Sequence, residues 1–347
     1  MILASSRNIV QPLLAVLLLS ILVAPAKTQG PPANTQGPPA NTQGPPANTQ
    51  GQGVRPPVAD DGFIPAQNLL PNSTAGLVRS IDFPGLCDAW QRTSISKLAD
   101  EPAMEPLLEA YLGDSGLLLE RFQSRVGLRP KDLYDLATGE VAIGWLPFPN
   151  DARMPTAMCI IADIRGNEEA TQAVVDRIDR ELTEDGATRK DVSHRGATIQ
   201  VYQPKTKPGQ LRIEQIAIMH DGERIIASDR ESVVKDVVSA LKEGVHPSCL
   251  ACATDFEDVS RQLDDRFAMD LDAGRPDAKS TLRWFVRPIA MARIVRDLAK
   301  VDRGKKIRVV DLLEKQGFDA VAACGGIVTV GDKEFDLLHR GFILAPP

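Results

Sequence analysis

The chain has 347 residues, 46 acidic against 40 basic, a formal net charge of −6 and 43% hydrophobic residues. The charges are interspersed and no basic block occurs, so the clustered Lys and Arg of a phosphate-tracking surface are lacking and nucleic acid is not an expected partner. The length suffices for a buried core, and five cysteines, an odd count, do not make a disulfide scaffold.

Residues 1–26 read as a secretory signal. Arg7 precedes an apolar run from Leu13 to Val23, and Ala24-Pro25-Ala26 is a small-x-small cleavage site, so export with cleavage near Ala26 is expected. The run falls short of the ~20 residues that span a bilayer, and no later segment is apolar enough to cross one. Cleavage removes Arg7 alone among the charged residues, leaving the mature chain slightly more acidic. Next, Thr-Gln-Gly-Pro-Pro-Ala-Asn runs three times from Thr28 to Asn48, and Thr49 opens a fourth copy. The repeat carries no bulky apolar side chain, and Pro-Pro with Gly favours solvated, extended backbone. Residues 27–65 are expected to be a disordered spacer.

A first α+β region is expected over residues 66–150. Ala75–Ile81 is a strand, Phe83-Pro84 breaks it, and Leu86, Ala89 and Trp90 begin a helical face. Residues 103–125 read as further helices through Met104, Leu107, Leu108, Tyr111 and Leu112. Pro130 to Leu136 is a short helix, and Glu140–Leu146 a strand. Residues 151–245 form a central unit of strand, helix, three strands and helix. Its first strand is the apolar run Met158 to Ile164. In the following helix Ala170, Val174, Ile178 and Leu182 recur every fourth residue, Glu168 and Glu169 suit the first turn, and Gly186 ends it. Strands follow at Ala197–Tyr202, Ile213–Met219 and Arg224–Ser228, the last two joined by a turn with Asp221-Gly222. Ser228-Asp-Arg-Glu231 is a capping box for a helix striped by Val233, Val234, Val237, Val238 and Leu241. Residues 246–347 are a C-terminal α+β region. It has a helix from Thr254 to about Leu263, strands Phe267–Leu271 and Thr281–Val286, and helices from Pro288 to Val301 and over Ile307–Gln316. Three closing strands follow, Phe318–Ala323, Ile327–Val330 and Phe335–Leu344. A chain ending straight out of a strand reads as incomplete. The fold class is α+β, a mostly antiparallel sheet with helices on one face, in repeated strand-helix-strand units.

From Leu69 to Pro347 the chain resembles a family of uncharacterised exported proteins of planctomycete-type bacteria. The resemblance rests on Arg283-Trp284-Phe285, Gln316-Gly317-Phe318-Asp319-Ala320, Gly325-Gly326 and His339-Arg340 ahead of Ala345-Pro346-Pro347. Gly139-Glu140-Val141-Ala142 and Ile225-Ile226-Ala227-Ser228 add to it. It implies export and a shared fold, and, since that family continues past such an Ala-Pro-Pro, a truncated chain. It implies no activity.

Few residues suggest chemistry. Gly113-Asp114-Ser115-Gly116 looks like a hydrolase fragment. The chymotrypsin-like order fails, because the first histidine, His194, comes after the serine. A GDSL-like esterase would use Ser115 as nucleophile, His339 as base and Asp336 to orient the imidazole, Asp336-Leu337-Leu338-His339 having the Asp-x-x-His spacing. Against it, Ser115 follows a helical pattern and His339 lies in an apolar strand pattern. Cys249 and Cys252 have redox or metal spacing, but no second pair completes a zinc site, and no strand leads into a thioredoxin-like motif; a local disulfide is the remaining reading. Asp270-Leu271-Asp272-Ala273-Gly274 with Asp277 misplaces the glycine of a calcium loop and reads as a solvated turn. His194 and His220 sit at turns without a second histidine at ligand spacing. Neither a Walker loop nor a dinucleotide fingerprint is present, and no cofactor or metal is expected. The expected role is a non-enzymatic exported protein that binds, or builds structure, at the cell envelope, its partner an envelope or extracellular protein or polymer. The alternatives are the Ser115 hydrolase and a truncated, functionless copy.

Overall fold

The computed structural model describes residues 63–104, 125–151, 153–205, 213–244, 248–272, 281–303, 317, 320–331 and 335–345. In chain order the elements are α1 (Ala66–Leu69), β1 (Gly76–Ser80), α2 (Phe83–Arg92), α3 (Ser94–Ala99), α4 (Pro130–Leu136), β2 (Val141–Pro147) and β3 (Thr156–Asp163). Then come α5 (Glu168–Glu184), β4 (Thr188–His194), β5 (Ala197–Gln203), β6 (Ile216–His220), β7 (Arg224–Ser228) and α6 (Glu231–Glu243). The last are α7 (Thr254–Asp272), β8 (Thr281–Val286), α8 (Pro288–Arg303), β9 (Ala323–Val330) and β10 (Leu337–Leu344).

Local chemistry accounts for the boundaries. The Asp82 carboxylate accepts from the Gly85 amide and Pro84 sits in the first turn, which starts α2. The Thr93 hydroxyl both donates to the Trp90 carbonyl and accepts from the Ser96 amide, so it closes α2 and opens α3. Asp221-Gly222 turns β6 into β7, with the Asp221 carboxylate accepting from the Glu223 and Arg224 amides and Gly222 at φ 87°. The Ser228 hydroxyl accepts from the Arg230 amide ahead of α6, while the Glu231 amide donates to the Gln215 side chain.

All ten strands form one sheet in the order β10-β9-β8-β1-β2-β3-β7-β6-β5-β4, every described pairing antiparallel. The α+β class is as expected. The helices, expected on one face, divide between both, and each face has its own core. Leu86 and Trp90 of α2, Leu136 of α4 and Ile178 of α5 pack with Ile160 and Tyr202 on one side. Leu69 of α1, Val234 and Val238 of α6, and Val259, Leu263 and Phe267 of α7 pack with Leu77 and Ile161 on the other. In β3 the burial is complete on both faces, which explains its unbroken apolar run.

Three expectations need correction. The central meander has four strands, because Thr188–His194 forms β4, whose side chains are exposed or half-buried; as an edge strand it needs few apolar residues. Phe267–Leu271 is helical: Val259, Leu263 and Phe267 recur every fourth residue and α7 runs unbroken through them. Phe318–Ala323 is not a strand over its described residues, since Ala320 lies in a short helical turn and β9 starts only at Ala323, running on through Gly325-Gly326. Met104 ends a short 3-10 turn. Leu107, Leu108, Tyr111 and Leu112, and the helix expected over 307–316, lie outside the described residues.

The six strands from β10 to β3 repeat one topology. β1, a helical connection opened by Pro84, then the hairpin β2-β3 stands beside β8, a helix opened by Pro288, then the hairpin β9-β10. The two sets meet where β1 pairs with β8, and Arg79 lies directly opposite Arg283. Each arginine precedes its proline by the same interval, so the pair gives the two sets a common alignment.

Gly325 and Gly326 are the tightest points of β9. A Cβ on Gly325 would collide with Val259 of α7 and stand 3.0 Å from the Trp284 carbonyl; one on Gly326 would stand 2.6 Å from the Trp284 indole nitrogen. The first glycine admits a helix on one face, the second an indole on the other. Gly325→Ala is expected to lower the unfolding free energy in urea by about 1–3 kcal/mol, the usual cost of overpacking.

The segment at residues 63–70 is clamped to the sheet by buried charge. The Ala66 amide donates to Glu140 Oε2 at 3.0 Å, and Arg79 Nε lies 3.4 Å from Glu140 Oε1. Phe63 lies under the guanidiniums of Arg224, 4.0 Å from its ring centre, and Arg165, at 4.9 Å. Burial raises the Glu140 pKa, with Arg79 opposing. A raised folded value means the native state holds its proton more tightly than the unfolded chain. This contribution is therefore full below the unfolded carboxylate value and is lost as pH rises through the folded one. Glu140→Gln removes the titration, so its stability relative to wild type is expected to improve steadily in urea melts taken from about pH 4 upwards.

Candidate functional site

The residues singled out from the sequence separate into groups that the structure uses to fasten elements together. Ser115 lies outside the described residues. Asp336 stands just before β10, where its carboxylate accepts from the Ile95 amide at 3.0 Å and its carbonyl accepts from the Gly331 amide. It holds the first turn of α3 against the β9–β10 connection. His339 lies mid-strand in β10. Its ring stacks on Trp284, 5.7 Å between centres, and Nε2 accepts from the indole N–H at 3.2 Å. Partial burial lowers the His339 pKa, which favours the neutral ring that this bond requires. Asp336 and His339 thus serve different neighbours, Ile95 and Trp284.

Cys249 precedes and Cys252 ends the short turn Leu250–Cys252, with their sulfur atoms 2.8 Å apart. The turn is stitched to the N-terminal segment: Cys249 forms an isolated bridge with Pro71, and the Leu250 amide donates to the Leu70 carbonyl. Cys249 is buried and Cys252 exposed. Burial, with the neighbouring Cys252, pushes the Cys249 thiol up to about 12, far from the thiolate a redox catalyst needs at neutral pH. Asp270 and Asp272 fall within α7, not in a loop, and residues 273–280 lie outside the described residues.

One pairing escapes sequence reading. The His194 ring at the end of β4 is hydrogen-bonded through Nε2 to the Ser239 hydroxyl of α6, at 2.8 Å. Asp236 lies one turn earlier on the helix; burial raises its pKa and His194 opposes this. A groove of about 340 Å³ runs beside the pair, lined among others by Gly196, Thr198, His220 and Lys242. A serine on a histidine has the form of a nucleophile and base, yet Ser239 is placed inside α6, where neighbouring amides are committed to the helix and cannot form an oxyanion hole. Arg195, in the left-handed region at φ 51° within the β4–β5 turn, pairs with Glu243 of the same helix. The two contacts together clasp the hairpin onto α6. No sequence signal announces the pair, because its members are 45 residues apart and sit on elements of different type.

Among the described residues no group of three His, Cys, Asp or Glu side chains is arranged to hold a metal, and no helix is long and apolar enough to cross a membrane. Comparison with family models, curated proteins and solved structures returns no match.

The cysteine geometry has a direct test. In the native, reduced chain at neutral pH, maleimide is expected to modify Cys252 and spare Cys249 until the protein is unfolded, as read by peptide mass spectrometry.

Proposed function

We propose that the protein is an exported, non-enzymatic component of the cell envelope or its surroundings, acting by binding or by building structure. One observation carries this reading: among the described residues, the candidate side chains of Asp336, His339, His194 and Ser239 are engaged in holding the fold. Asp336 holds α3, His339 holds Trp284, and Ser239 with His194 clasps a hairpin to a helix, while Cys249 lies in a turn whose backbone bridges Pro71. The signal-like residues 1–26 and the Pro/Gly repeat supply the export and spacer parts of the proposal. In an oxidising compartment Cys249 and Cys252 would close as a local disulfide, tightening the turn beneath Leu70.

The test is covalent labelling of the folded full chain with a serine-directed fluorophosphonate. No labelling is expected. A label that disappears in Ser115→Ala would establish the GDSL-like hydrolase instead, and one that disappears in Ser239→Ala would convert the clasp into an active site. Export is read separately, by fractionation of cells carrying the chain with and without residues 1–26.

A further inference from the structure

Aligned on Arg79 and Arg283, the two sets of strands differ at their far ends. On one side Val78 pairs with Ile143, Ile143 with Ile160, and Ile160 with Ala227 of β7. On the other side Leu282 pairs with Val328, and Val328 with His339. His339 is therefore the counterpart of Ile160, and β10 is the counterpart of β3. β3 is an inner strand with β7 on its outer side; β10 ends the sheet among the described residues.

The two edges of the sheet differ in kind. β4 carries Arg189, Lys190 and Asp191, with Arg189 tied to Asp179 and Asp191, the charged guard that keeps an edge from pairing. β10 reads Leu-Leu-His-Arg-Gly-Phe-Ile-Leu over its full length, without proline, lysine or acid. The hydrogen bond from the Gly331 amide to the Asp336 carbonyl, with the β9–β10 register, sets the phase of the ladder. Leu338, Arg340 and Phe342 bond inward to β9, and Leu337, His339, Gly341 and Ile343 turn their N–H and C=O groups outward. An apolar patch adjoins this edge. Ile343 is 65% exposed and Phe335 52%, and α3, held to Asp336 through Ile95, presents Leu98 at 55%.

We propose that β10 pairs antiparallel with β10 of a second copy of this chain, about a two-fold at Gly341, making one sheet continuous across the dimer. This rests on the non-enzymatic reading above and names its partner. The outward set is self-complementary in this register: Gly341 faces Gly341 without side-chain obstruction, His339 faces Ile343, and Arg340 faces the Phe342 ring, an attractive contact for a guanidinium. A register centred on Arg340 would set the two guanidiniums opposite each other, a repulsive pair. Charge therefore favours Gly341 over Arg340 as the centre. The partner's Ile343 then approaches the face carrying α3, where Ile95 and Leu98 are exposed.

Sedimentation equilibrium of the full chain tests the pairing, with two variants chosen to spare the monomer. Ile343→Pro removes only an outward N–H, which an edge strand tolerates, and Ile343→Lys adds the charge that β4 already uses. The expected result is a dimer for the wild type and monomers for both variants, with far-ultraviolet circular dichroism unchanged. A wild-type monomer overturns the proposal, whether or not it takes up an added strand peptide. So does a dimer that survives both substitutions in folded protein. Either failure leaves the fluorophosphonate result untouched, so the non-enzymatic reading stands or falls by its own measurement.

Discussion

The seam between β1 and β8 is the constraint on which the rest of the structure depends. It joins the last three strands to the other seven, and at one end of its register two arginines face each other across the ladder. Like charges in directly opposed positions repel, so the seam exists only because each guanidinium has its own acid. Arg79 leans on Glu140, just ahead of β2, and Arg283 on Asp264 of α7. Those acids do further duty: Glu140 holds the Ala66 amide, and α7 covers β9 and β10. Burial lowers the Arg79 pKa and Glu140 counters it. Arg287 adds a fork to Asp255 at 2.6 and 2.7 Å while donating to the Asn72 and Thr74 carbonyls, which ties α7, the end of β8 and the loop before β1 into one knot.

A sheet cored on both faces uses its glycines as openings. Gly144 leaves room for Leu70, Gly76 for Met291, Gly325 for Val259 and Gly326 for Trp284. In each case a strand gives up a side chain to make room for a neighbour, from an element on the sheet's face or, for Trp284, from the paired strand. This explains how helices of quite different length, α1 on one hand and α7 on the other, reach the same layer.

Much of this was legible in the sequence where burial is simple. β7 and β8 follow from their apolar runs to the residue, and α6 follows from its valine stripe, because each meets one uniform environment. β4 is illegible because an edge strand of this sheet is written in Thr, Arg, Lys and Asp, with only Val192 reaching the core. α7 splits on reading because Asp264, Asp265 and Arg266 interrupt the stripe, although Phe267 returns to it one turn after Leu263. The candidate chemistry was legible only as spacing. Which acid or ring each histidine meets is decided by strand register, and neither the Trp284–His339 stack nor the His194–Ser239 clasp follows from local pattern.

The seam also orders events in time. β4 to β7 meander between near neighbours in the chain, so that part of the sheet closes over short loops. β1 and β8, which lie side by side in the sheet, are separated by nearly the whole described chain, and closing so long a loop is costly before its contacts form. During synthesis β1 and β2 must therefore stand with an open inner edge while the meander is already complete, and only the emergence of β8, with Arg283 and its Asp264 already made, lets the two halves zip together.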